Sequence, residues 1–140
     1  METRKKGLSI TLKLISAIVI VFFAIEKLFA WDMTVINFIQ FGEVLGINGI
    51  SFMYFTGWVE MIAGVLILAS FLEKKYTELL GFGILFSTML GAIGTELFIR
   101  SEPKALFMSI ALILAVISSY FLRIHFKKYF SAKDLIKQGV

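Results

Sequence analysis

The chain is 140 residues long, 59% hydrophobic, 15% aromatic and 17% charged, with a formal net charge of +4 and a mean hydropathy of +0.89. A water-soluble domain carries more charge and shorter apolar runs, so the composition describes an integral membrane protein. There is no cysteine, which excludes disulfides, thiol redox chemistry, iron–sulfur clusters and thiolate metal sites.

In chain order, a short basic leader with Arg4, Lys5 and Lys6 precedes a first apolar span over about residues 8–31. Its apolar core is too long for a signal sequence, no small-x-small cleavage pattern follows it, and Glu26-Lys27 interrupts its end, so it is expected to remain as a membrane helix. Residues 32–49 carry no Lys or Arg and mix Asn37, Gln40 and Glu43 with Val35, Phe38 and Ile39. This pattern predicts a partly helical segment on the membrane surface or folded over the mouth of the spans. Gly46-Ile47-Asn48-Gly49 reads as a turn into a second span over residues 50–72.

Glu73-Lys74-Lys75-Tyr76 predicts a tight hairpin into a third span over 78–99. The turn at Arg100-Ser101-Glu102-Pro103-Lys104 follows, with Pro103 suited to the first helical position of a fourth span over 103–126. The tail 127–140 is polar and basic. The expected fold is all-α: a single domain forming a four-helix antiparallel bundle in the membrane. Cations concentrate at one side (Arg4, Lys5, Lys6, Lys13, Lys74, Lys75, Arg123, Lys127, Lys128, Lys133, Lys137), with only Arg100 and Lys104 opposite. This asymmetry predicts that both termini are cytoplasmic. The basic residues flank apolar spans and form no patch interleaved with exposed aromatics, so anionic lipid suits them and nucleic acid does not. The one histidine, His125, lies among Arg123, Lys127 and Lys128 and reads as a solvated interfacial residue. No metal site is expected.

The second span holds Gly57-Trp58-Val59-Glu60-Met61-Ile62-Ala63-Gly64, which puts Gly57, Glu60 and Gly64 on one helical face. In lipid, helices associate through close approach of small residues and interhelical hydrogen bonds. The third span offers a comparable ridge of Gly83, Ser87, Gly91 and Gly94. Glu60 would lie about ten residues, or roughly 15 Å, from the outer boundary, where a carboxylate costs a few kcal/mol or more and needs a partner, a water-filled cavity or a proton. Glu26, Lys27 and Glu96 fall within about five residues of the same boundary. The simplest pairing is Lys27 with Glu60, as a structural ion pair or as part of a ligand, proton or partner site. Glu26 and Glu96 then have no internal cation and are expected to snorkel, to stay protonated or to meet something cationic. Glu96 lies about 140° from Gly83 around the helix, so it cannot face whatever packs on that ridge. Trp31 suits an interfacial anchor, and Trp58 suits either packing or pocket lining.

On these residues the chain resembles the DoxX family of small membrane proteins, over most of residues 8–125. Phe22-Phe23-Ala24-Ile25-Glu26-Lys27-Leu28 is similar to the family's Gly-x-x-Lys-Leu with Ala24 replacing glycine. Gly57-x-x-Glu60-x-x-x-Gly64 resembles its most recognisable pattern, and Met89-x-x-Ala92-x-x-x-Glu96 follows a third in which relatives commonly carry His at the position of Glu96. The resemblance implies a four-helix bundle, with relatives among thiosulfate:quinone oxidoreductase subunits, proposed redox-stress complexes and receptor-assembly chaperones. The expected function is a non-catalytic accessory or assembly subunit in a bacterial inner (plasma) membrane, partnered by another membrane protein or a second copy, with no resident cofactor. The alternatives are a quinone-linked oxidoreductase subunit or a small transporter or lipid-binding protein using a pocket of Lys27, Glu60, Glu96, Glu26 and Trp58.

Overall fold

The apolar runs close their backbone hydrogen bonds as helices, the one way a single segment can satisfy them in hydrocarbon. In the computed structural model, which describes residues 1–72 and 76–139, these are α1 (Glu2–Leu28), α2 (Asp32–Leu45), α3 (Gly49–Ala69), α4 (Tyr76–Gly94) and α5 (Ala105–Lys137), with a π-helical turn over Thr95–Ile99 continuing α4. The hairpin expected at Glu73-Lys74-Lys75 lies outside the described residues. Helices α1, α3, α4 with its π turn, and α5 are each long and apolar enough to cross a membrane. Only 22 to 33% of their apolar windows is buried within the protein. The remaining apolar side chains, such as Trp58, Ile62 and Val65 along α3, face outward, which water would penalise and acyl chains solvate. The chain is therefore an all-helical integral membrane protein.

Helix α3 is central, packing against α1, α2 and α4, while α5 packs on α4. A Cβ at Gly57 would meet Lys27 Cβ at 3.0 Å, and one at Gly64 would meet Val21 Cγ2 at 2.5 Å, so the two glycines hold α3 close against α1. As α3 advances from 57 to 64, its contacts on α1 retreat from 27 to 21, so these helices run in opposite directions. Asn48 caps α3 by accepting the Ser51 N–H at 3.0 Å. The interior of the long helices is filled by Ile20, Ile67, Phe82, Leu85 and Leu114, with the rings of Phe82 and Phe121 stacked 4.4 Å apart.

Two expectations need correction. The ridge of Gly83, Ser87, Gly91 and Gly94 does not pack inside the protein. Cβ atoms added at its glycines would meet nothing within 4 Å, and Ser87 and Gly91 are exposed. Helix α4 instead buries Glu78, Phe82, Leu85 and Met89, and Gly81 makes the close approach to Ile67. The rotation follows from charge: Glu78 and Glu96 are 18 residues apart, about five whole turns, and turning both carboxylates inward sends the small ridge outward. Pro103 precedes α5 rather than starting it, because Glu96 Oε2 takes the Lys104 N–H at 2.9 Å and the first backbone bond of the helix runs from Met108 N–H to the Lys104 carbonyl. Beyond the span expected to 126, α5 itself continues to Lys137, since 127–137 hold neither Gly nor Pro.

Candidate functional site

The buried polar groups form two layers, one at each end of an apolar core. Helix α1 supplies a cation to each. Its buried stripe runs Lys13, Ser16, Ala17, Ile20, Ala24, Lys27, the i, i+3, i+4, i+7 spacing of a single face.

In the first layer Lys27 Nζ donates to Glu60 Oε2 at 2.7 Å and to the Phe23 carbonyl at 3.2 Å. It also lies 5.5 Å from the Phe23 ring centre and 6.0 Å from that of Phe38. The side chains of Lys27 and Glu60 are 11% and 5% exposed. At that burial, removing one partner leaves an uncompensated charge. Glu96, expected to lack an internal cation, faces inward from the π turn and lies 3.3 Å from Arg100 Nη1. The turn, closed by a bond from Arg100 N–H to the Thr95 carbonyl, brings Glu96 and Arg100 to the same wall. The guanidinium also stands 5.4 Å from the Phe41 ring centre, and its Nε and Nη1 are buried without an aligned acceptor. The Glu26 carboxylate makes no hydrogen bond or ion pair among the described residues.

These five charged residues surround a cavity of about 360 Å3, within the size range of small-molecule pockets. Phe23 of α1, Phe38 and Phe41 of α2, Phe52 and Phe55 of α3, and Phe107 of α5 line it, with Thr34, Asn37, Thr56, Thr88 and Thr95 between them. Helix α2 reaches the cavity because Phe38 and Phe41 bury against Met53, the expected segment folded over the mouth. Of the sequence-derived candidates, Glu26, Lys27, Glu60 and Glu96 meet here. Trp58 does not: one residue past the buried Gly57, it is 60% exposed and points outward.

The second layer was not anticipated. Lys13 Nζ donates to Glu78 Oε2 at 2.5 Å, and His125 Nε2 lies 3.2 Å from Glu78 Oε1. Lys13 also lies 5.7 Å from the ring centres of both Phe71 and Phe121. The expectation of a solvated His125 is therefore wrong, since its side chain is only 18% exposed. Lys13 and Glu78 each stand at the edge of an apolar run and read as flanking charges. The available signal was the 14-residue interval from Lys13 to Lys27, four turns to within about 40°, which puts Lys13 on the buried face.

Chemically the cavity can hold an apolar molecule and offer it carboxylate oxygens. Among the described residues no three His, Asp or Glu side chains are grouped to hold a metal ion. In comparison with known proteins, the chain matches no family model, no curated protein and no solved structure.

Proposed function

We propose that this is a DoxX-like membrane protein, folded as a four-helix antiparallel bundle with both termini cytoplasmic, that serves as a non-catalytic accessory protein by holding the head of a small amphiphile in its cavity. The observation that carries this reading is the convergence of Glu26, Lys27, Glu60, Glu96 and Arg100 on one phenylalanine-walled space. Charge inside a membrane protein is retained where it serves a ligand or a pathway, and an apolar wall with a few directed polar groups is the composition of ligand pockets. The topology rests on the cation asymmetry, which puts the cavity end on the side poor in Lys and Arg. The quinone-linked alternative fits less well, because quinone carbonyls need donors and most of the polar atoms on this wall accept.

The test is thermal unfolding of the purified chain with and without amphiphiles extracted from its host membrane. The native protein should be stabilised, and Ala92→Phe, which fills the cavity from its wall, should lose that response while remaining folded. Equal stabilisation of both proteins would overturn the reading.

A second reading, docking against another membrane protein or a second copy, is favoured by the outward ridge of Gly83, Ser87 and Gly91, which would let a foreign helix approach closely. Because the chain has no cysteine, Ser87→Cys gives a single-site cross-linking probe. A discrete cross-linked species in native membranes supports docking, and monomer alone counts against it.

A further inference from the structure

We infer that the cavity selects a cationic head group, a protonated hydrophobic amine, over neutral or anionic amphiphiles; this rests on the cavity-binding reading above and names its ligand class. The argument is an account of which hydrogen-bonding atoms on the wall are still free. Lys27 spends two of its three N–H bonds on Glu60 and the Phe23 carbonyl. Arg100 lies 3.3 Å from Glu96 through Nη1, and its Nε and Nη1 are buried without a hydrogen-bond partner. The wall threonines have turned their protons inward: Thr56 donates to the Phe52 carbonyl at 2.8 Å, Thr88 to that of Leu85 at 2.9 Å and Thr95 to that of Ala92 at 2.8 Å. Their oxygens can then only accept.

The charged donors still open, the third N–H of Lys27 and the Arg100 guanidinium, each stand beside a carboxylate that neutralises them, and the wall also carries free carboxylate oxygens. Glu60 Oε1 has no hydrogen bond, although its side chain is 5% exposed and lines the cavity, and both oxygens of Glu26 are uncommitted. With Glu60 neutralised by Lys27 and Glu96 by Arg100, an ionised Glu26 gives the wall one negative charge in excess. The uncommitted neutral donors, Thr34 and Asn37, both stand on α2. Charge-assisted hydrogen bonds are about twice as strong as neutral ones, so the charged groups, whose balance is negative, decide which head group is preferred. The rings add to this preference, because Phe52 and Phe55 line the cavity with no cation of the described residues over their faces, and an ammonium is attracted to such a face.

The experiment is direct equilibrium binding of tritiated dodecylamine, dodecanol, dodecanoate and decylubiquinone to the full chain in phosphatidylcholine nanodiscs, corrected with empty nanodiscs. Dodecylamine should bind saturably, at least about tenfold more tightly than the other three, a free-energy gap well within what one buried charge-assisted contact supplies. Glu26→Gln should weaken amine binding about tenfold while keeping the native helix content and melting temperature. Dodecanoate or decylubiquinone binding as tightly as the amine, or amine binding unchanged in Glu26→Gln, overturns the cationic assignment while leaving cavity binding in force. No saturable binding by any of the four probes removes the cavity-binding reading itself.

Discussion

Lys13 and Lys27 lie fourteen residues apart on one stripe of α1, and each is buried against a glutamate from a different helix, Glu78 of α4 and Glu60 of α3. One helix thus fixes its rotation against two neighbours through charge at both ends, with Ser16, Ala17, Ile20 and Ala24 packed between.

The Lys27–Glu60 pair should show strong coupling. Glu60→Gln or Lys27→Met alone should cost about 3–5 kcal/mol, because the surviving charge keeps its burial and loses its counterion. The double variant should recover most of that loss, since a neutral pair of similar volume carries little desolvation cost. Reversible unfolding in mixed micelles checks this as a double-mutant cycle. Single losses that simply add would mean the two groups do not depend on each other.

At the opposite layer Glu78 should matter more than His125. Glu78→Gln removes the counterion of Lys13, whose side chain is 9% exposed, and should cost about 3 kcal/mol or more. His125→Ala leaves the Lys13–Glu78 pair intact and should cost about 1 kcal/mol. The same unfolding assay ranks them, and a larger loss for His125→Ala would show that Lys13 is not held by Glu78.

The helices and the Lys27–Glu60 pair were legible in the sequence because apolar length and an isolated intramembrane carboxylate are strong local signals. The rotation of α4 was not. Two stripes compete on that helix, the small ridge through Gly83 and Gly91 and the bulkier one through Phe82, Leu85 and Met89, and only the partners supplied by other helices to Glu78 and Glu96 decide between them. The angle between Glu96 and Gly83 was read correctly, and the side that faces inward was reversed. Lys13 and His125 were misplaced for a related reason: a charge near the end of a span looks solvated until the neighbouring helix that covers it is known.

The glycines offer a direct test of which ridge is packed. Gly64→Ala puts a Cβ 2.5 Å from Val21 Cγ2 and 3.2 Å from Ile20 Cγ2, against stiff β-branched side chains, and should destabilise by about 1–3 kcal/mol. Gly91→Ala meets nothing within 4 Å and should be neutral or stabilising by up to about 1 kcal/mol through helix propensity. A comparable loss for both in monomeric protein would mean that the Gly91 face is covered within the chain.

Glu96 and Glu26 line the same cavity, yet only one should be needed for folding. Glu96 holds Arg100 with one oxygen and with the other accepts the Lys104 N–H at the start of α5. It therefore does the work of a counterion and of a cap, and a lost cap alone costs about 1 kcal/mol. Glu96→Gln keeps a carbonyl for the cap but leaves the 9% exposed Arg100 side chain without a counterion, so it should cost about 3 kcal/mol. Glu96→Ala should cost more, by about the value of the cap. Glu26→Gln removes a carboxylate with no hydrogen bond or ion pair among the described residues and should change stability by about 0.5 kcal/mol or less. Unfolding of the three variants under one set of conditions gives the order directly. If Glu26→Gln destabilises as much as Glu96→Gln, Glu26 is a structural counterion and is not free for a ligand.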